Sequence, residues 1–150
     1  MSPTETTTLH RAFCDLSPLS WGDYELIARE SLTSTTPCQL LYQQEVIGEC
    51  YLMFQDPDVC YIDLIRIERP YRYHGHGRQI IYGLYEFFSH HLPLQGKLHM
   101  RGVAVTLDGE LFWKKLNATL SDPIKEPMEN WEDEGVIYQI VGYPFDFTLP

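Results

Sequence analysis

Residues 9–16, apolar at both ends and at Ala12 and Phe13, read as a first strand, closed by a turn at Ser17-Pro18. Residues 21–31 then fit a helix, with Leu26 and Ile27 on its apolar side and Ser20 as its N-cap. The Thr/Ser-rich stretch 32–37 ends in proline and reads as a loop. Two β-rich runs, 39–43 and 46–54, flank the short polar break Gln44-Glu45 and predict a hairpin. A second turn at Gln55-Asp56-Pro57-Asp58 leads into a third strand, 59–67. That strand is apolar at Ile62, Leu64, Ile65 and Ile67, so both of its faces read as buried. Downstream, Ile80, Ile81, Leu84, Phe87 and Phe88 recur at helical spacing and predict a helix over 77–90, stopped by Pro93 and Gly96. A strand over 97–105, a short helix over 107–116, an acidic loop over 123–134 and a last strand over 135–143 complete the chain. Strands interleaved with helices in this order predict an α/β layered domain around a mixed sheet. No repeat or linker divides it, so residues 1–150 are expected to form one domain.

Composition narrows the function classes. At 44% hydrophobic and 21% charged, the chain is globular in type. Its formal net charge of -10 disfavours nucleic acid and anionic membrane as partners, and suits a small-molecule amine or a basic peptide. No apolar run approaches the roughly 20 residues of a membrane span. Residues 1–8 are polar and lack the apolar region of a secretory signal, so the expectation is a cytoplasmic protein with a frayed end. Cys14, Cys38, Cys50 and Cys60 form no CxxC pair and read as reduced thiols. No His/Cys/carboxylate cluster has zinc-like spacing, so no metal is expected.

The chemistry-bearing feature is the run Arg72-Tyr73-His74-Gly75-His76-Gly77, placed where a buried strand turns into a helix. The first amides of a helix lack intrahelical partners and carry the positive end of its dipole. Glycine there lets a ligand come close to the backbone. The pattern suits a phosphate or pyrophosphate, with Arg72, Arg78, His74 or His76 as added donors. It is not a Walker loop, because no Gly-Lys-Ser/Thr follows. Nor is it a dinucleotide fingerprint, since Ile80 stands where a third glycine is needed. The plain alternative is a structural turn capping an ordinary helix.

Arg-x-x-Gly-x-Gly after a strand ending Ile65-x-Ile67 resembles the central motif of the GNAT superfamily of N-acetyltransferases. The resemblance implies a mixed, mostly antiparallel central sheet flanked by helices, in family order from an opening strand and helix onward. It implies acetyl-CoA as cofactor, with its pyrophosphate on the amides around Tyr73, His74, Gly75, His76 and Gly77 and near Arg72 and Arg78. The backbone at Ile65 and Ile67 is expected to pair with the pantetheine arm as an added strand does. The acyl group would pass to an amine by direct attack. Homodimers are common in that family, so a homodimer is an expected partner state.

An amine near pKa 10 is protonated at pH 7, so a base must accept its proton. The family often places a carboxylate on the central strand, which makes Asp63 and Glu68 the candidates. Burial in an apolar strand would raise the pKa of Asp63 towards a useful value. Equally, either carboxylate pairs with Arg66 or Arg69 as a structural salt bridge. A later stretch, residues 106–118, resembles the family's second landmark. There Trp113 stands where many relatives carry a tyrosine that protonates the departing thiolate, a task indole cannot perform. A CoA-binding module without catalysis is therefore an open alternative, as is an interaction protein that binds no nucleotide. Tyr138 and Tyr143 are weaker candidates for a phenolic acid, and Trp131 with its acidic neighbours for a substrate lip.

Overall fold

The computed structural model describes residues 7–31, 33–104, 106–122, 131–133, 136–138 and 142–150. The chain divides into two compact units, residues 1–100 and 101–150.

The first unit opens on a helix, α1 (Thr8–Leu16), not on the strand expected there. Leu9, Ala12, Phe13 and Leu16 recur at i, i+3, i+4 and i+7, and Leu9 and Phe13 are buried. Thr7 caps the helix by accepting from the His10 amide at 3.0 Å. Asp56, from a distant turn, accepts from the amides of Thr8 and Leu9 at 3.0 and 3.1 Å. The helix expected over 21–31 is likewise replaced, by strands β1 (Leu19–Trp21) and β2 (Tyr24–Ala28). They form a hairpin in which Trp21 faces Tyr24 across Gly22-Asp23, with Gly22 at φ +56°. Glycine-aspartate between β-formers is turn chemistry, which outweighs the helical spacing of a few apolar residues.

Beyond a loop, β3 (Thr36–Tyr42), β4 (Glu45–Gln55) and β5 (Val59–Ile67) form the expected antiparallel meander. The β3–β4 turn falls at Gln43-Gln44, one residue earlier than predicted, and both residues have positive φ, as a tight twisted hairpin requires. In β5 the register slips: Ile62 faces Leu52 and Leu64 faces Tyr51, leaving Asp63 as the extra residue of a bulge. Only Cys60 and Ile62 of this strand are buried, so the expectation of two buried faces fails. At the other end of the β4–β5 pair the strands run so close that a Cβ on Gly48 would collide with the carbonyl of Arg66.

After a single 3₁₀ turn at Arg69–Tyr71, helix α2 (His76–His91) buries Ile80, Ile81, Leu84, Tyr85 and Phe88. Phe87, expected in that stripe, is half-buried beside His91, while the Tyr85 hydroxyl donates to the Leu98 carbonyl at 2.7 Å. Phe13 of α1, Phe54 of β4 and Phe88 of α2 meet with ring centroids 4.7–5.7 Å apart, so both helices cover one face of the sheet. Gly83 lets the backbone of α2 approach the Trp21 indole. Strand β6 (His99–Ala104) starts beside the start of β5, where the His99 amide donates to the Asp58 carbonyl at 2.8 Å. Sheet neighbours that begin at the same end run parallel, with α2 as the crossover. The sheet is thus mixed and mostly antiparallel.

In the second unit, α3 (Leu107–Lys115) is capped by Thr106, whose hydroxyl accepts from the Gly109 amide at 3.0 Å. Strand β7 (Thr119–Leu120) pairs antiparallel with β10 (Tyr143–Phe147), and β8 (Trp131–Asp133) with β9 (Val136–Tyr138). The single last strand expected over 135–143 is therefore two, β9 and β10, with residues 139–141 outside the described set. The core of this unit is Trp113, stacked on Phe145 at 3.8 Å, with Leu116 and Phe147. The acidic lip expected at 129–134 lies outside the described residues, apart from the backbone of β8. Among the described residues no helix is long and apolar enough to cross a membrane.

Candidate functional site

The site forms where β5 ends. The Glu68 amide donates to the Ile47 carbonyl at 2.7 Å, and Pro70 sets the 3₁₀ turn that follows. Arg72 then reaches back, its Nε donating to the Ile67 carbonyl at 2.7 Å. That bond ties the turn to the strand end, so part of the guanidinium expected to face an anion serves the backbone instead. Tyr73 has φ +67° and its side chain is 92% exposed. Gly75 is the N-cap residue of α2, at φ +82° and ψ +7°, in the left-handed region that favours glycine.

Because Gly75 has no side chain, nothing local caps the helix. The Gln79 amide makes a bond of 3.2 Å to the Gly75 carbonyl. The amides of His76, Gly77 and Arg78 precede it and have no carbonyl one turn back to receive them. They sit at the positive end of a 16-residue helix. A Cβ built on Gly75 meets nothing within 4 Å, so the approach to the turn is open. Arg78 is exposed and lies over the Tyr82 ring at 5.3 Å. His74 is exposed, with its ring 6.3 Å from that of His76.

His76 is held by residues that the sequence reading missed. Its Nδ1 lies 2.8 Å from the Tyr24 hydroxyl, and its ring centroid is 4.6 Å from that of Tyr42. Tyr24 and Tyr42 face each other across the β2–β3 ladder, 4.9 Å apart, and Trp21 stacks on Tyr24 at 5.9 Å. Burial, and then the neighbouring His74, lower the pKa of His76. Burial, Tyr42 and Asp23 raise that of Tyr24. The signal that would have found Tyr24 is the Gly22-Asp23 turn, which makes it the first residue of a strand.

The candidate bases lie on β5 and just after it. Asp63 sits on the β5 bulge and is exposed, not buried as an apolar strand suggests. Glu68 follows the strand end and pairs with Arg66 at 3.6 Å, the structural salt bridge that was one reading of it. Ile65 and Ile67 are half-buried on the final stretch of β5. Trp113 is 3% exposed in the core of the second unit. Among the described residues no three His, Cys, Asp or Glu side chains are grouped to hold a metal ion.

No family model and no curated protein matches the sequence. Solved structures do match the backbone. A GNAT family acetyltransferase from Elizabethkingia anophelis with acetyl-CoA bound has a TM-score of 0.60 and 14% identity, covering 85% of this chain and 99% of the other. An acetyl transferase from Salmonella typhimurium that modifies the N-terminal serine of a 50S ribosomal subunit protein has a TM-score of 0.60 and 11% identity, over 78% of this chain and 65% of the other. A Bacillus subtilis acetyltransferase in complex with CoA has a TM-score of 0.56 and 9% identity, over 83% and 98%. Identities this low speak to the backbone alone. The chain has the GNAT acetyltransferase fold.

Proposed function

We propose that residues 1–150 form one acetyl-CoA-dependent N-acetyltransferase that acts on an amine by direct attack. The observation that carries this reading is the left-handed Gly75 between β5 and α2, which leaves the amides of His76, Gly77 and Arg78 facing an open approach. Donors of this kind fit a pyrophosphate. In this reading those amides, with the backbone of Tyr73 and His74 and the cation of Arg78, hold the phosphates of CoA. The backbone of Ile65 and Ile67 aligns the pantetheine arm. When bound, acetyl-CoA supplies an activated thioester carbonyl.

The chain's own residues then have to orient an amine and take its proton. Asp63 is the preferred base, because its carboxylate is exposed on the bulge, whereas that of Glu68 is paired with Arg66. The net charge of -10 favours a cationic acceptor, either a small amine or a basic peptide. The Salmonella protein of the same fold acts on a protein N-terminus, which puts peptide N-termini first in a screen.

Thermal unfolding with acetyl-CoA at a hundredfold over its Kd is expected to show about 2.7 kcal/mol of added stability. Release of free CoA thiol with a panel of amines then tests turnover. Trp113 favours a second reading, CoA binding without catalysis, since a buried indole in the tyrosine position donates no proton to a thiolate. Stabilisation by acetyl-CoA without thiol release from any amine would select that reading. The absence of stabilisation in a folded protein would overturn both.

A further inference from the structure

The hydroxyl of Tyr24, on β2, meets Nδ1 of His76, the first residue of α2, at 2.8 Å, although 52 residues separate them. The rings of Tyr24 and Tyr42 flank the imidazole, with centroids 5.8 and 4.6 Å away. Trp21 stacks on Tyr24 and packs over Gly83, so β1, β2 and the body of α2 brace the contact. An imidazole clamped in this way has little freedom to turn.

We propose that Tyr24 is a positioning residue for phosphate recognition: it donates to Nδ1 of His76 and so holds the ring as the Nε2–H tautomer, a neutral donor beside the α2 amides. The proposal rests on the acetyl-CoA reading of that helix end. Its chemistry follows from the two groups. A neutral imidazole has one donor and one acceptor, and the bond made by one nitrogen decides the role of the other. Were Nδ1 the donor, Nε2 would present a lone pair to an incoming anion and repel it. Tyr24 can donate because a phenol keeps its proton at pH 7, and burial, Tyr42 and Asp23 shift it further upward. His76 is suited to accept because its pKa is lowered by burial and by His74, so it stays neutral at pH 7. The site thereby gains a directed hydrogen bond without burying a cation.

The test uses the full chain, with acetyl-CoA and its phosphate-free analogue acetyl-pantetheine as probes. Nitrogen-15 NMR of His76 is expected to show the Nε2–H tautomer in the wild type and a mixture in Tyr24→Phe, which keeps the ring stack. Tyr24→Phe is expected to weaken acetyl-CoA about tenfold, the effect of one disordered donor to a charged group, and to leave acetyl-pantetheine unchanged. His76→Gln, which keeps a donor near the position of Nε2, is expected to bind acetyl-CoA more tightly than His76→Asn. Should Tyr24→Phe fold poorly, the wild-type tautomer and the Gln/Asn comparison still decide. An Nδ1–H tautomer, equal affinities in Tyr24→Phe and wild type, or equal loss for both ligands would overturn the role of Tyr24 while leaving the acetyl-CoA reading intact. Failure of the wild type to bind acetyl-CoA would remove that reading and this inference with it.

Discussion

Replacing Gly75 separates two costs that most glycine substitutions mix. A Cβ there meets no neighbour within 4 Å, so collision at that atom contributes nothing. What remains is the backbone at φ +82°. An L-residue in this region costs about 1–2 kcal/mol, less for asparagine, which bonds locally to its own backbone. Alanine recovers about 0.4–1 kcal/mol by restricting the unfolded chain. Gly75→Asn is therefore expected to be nearly neutral, Gly75→Ala to cost about 1 kcal/mol, and the β-branched Gly75→Val about 2 kcal/mol. At this chain length each kcal/mol lowers Tm by about 2–4 °C. Binding responds more steeply than stability. The cheapest relief of the strain is to move residue 75 out of the left-handed region, which turns the amides of His76, Gly77 and Arg78 away from their common point. Calorimetric titration with acetyl-CoA should rank the proteins as wild type, Asn, Ala, Val, with Val weaker than wild type by at least tenfold. If Gly75→Val binds acetyl-CoA as the wild type does, these amides are not the phosphate site. If Asn and Val destabilise equally, the left-handed backbone at residue 75 is not what glycine serves there.

Asp63→Asn is expected to lower turnover by about 10²–10⁴ with acetyl-CoA affinity unchanged. Glu68→Gln removes the charge from the part-exposed pair with Arg66, and should cost less than about 1 kcal/mol of stability and less than tenfold in rate; the reverse pattern in steady-state kinetics would reassign the base. Ellman's reagent at pH 8 should modify one thiol per native chain, the exposed Cys14, and four after denaturation. Cys50 and Cys60 should stay silent because their thiols are pushed well up, Cys50 by a hydrogen bond with the Cys38 thiol and by burial, Cys60 by burial. The lowered pKa of His76 means that the unfolded chain binds its proton more readily than the folded chain. Its contribution is thus full above pH 6.5, the ordinary imidazole value, and is lost as pH falls through the folded value. Urea midpoints at pH 7.5 and 5.5 should therefore differ less for His76→Gln than for the wild type.

The meander and the long helix were legible because their evidence is local and redundant. β5 has the predicted bounds, and α2 differs by one residue at each end. Residues 8–28 were not. Leu9, Ala12, Phe13 and Leu16 satisfy a helical period, and Phe13 is the one strong β-former among residues 9–16, so the strand expected there had little behind it. Trp21-Gly22-Asp23-Tyr24 holds a hairpin turn inside what a few apolar residues make look like a helix. In both places the period was misjudged, and the capping Thr7 and the turn-forming Gly22 carried the better information. The family order inferred for the opening segment fell with them, since a helix precedes two strands here. The bulge at Asp63 was illegible for another reason. A register slip shows in the pairing of two strands, not in the composition of either, and only the pairing decides whether that carboxylate meets water.

The same distinction runs through the site. Gly75, His76 and Gly77 could be found because the strand end, the glycine turn and the helix start are consecutive in the chain. The properties of His76 could not, because Tyr24 and Tyr42 reach it only after β2 and β3 have paired and α2 has folded back over them. A helix end holds an anion by its amides whatever its side chains are, so a local motif is enough to locate the charge. The tautomer of an imidazole beside those amides depends on a hydroxyl from another strand, so it belongs to the topology. Affinity for phosphate should then survive conservative changes within the turn better than it survives the loss of one oxygen from Tyr24.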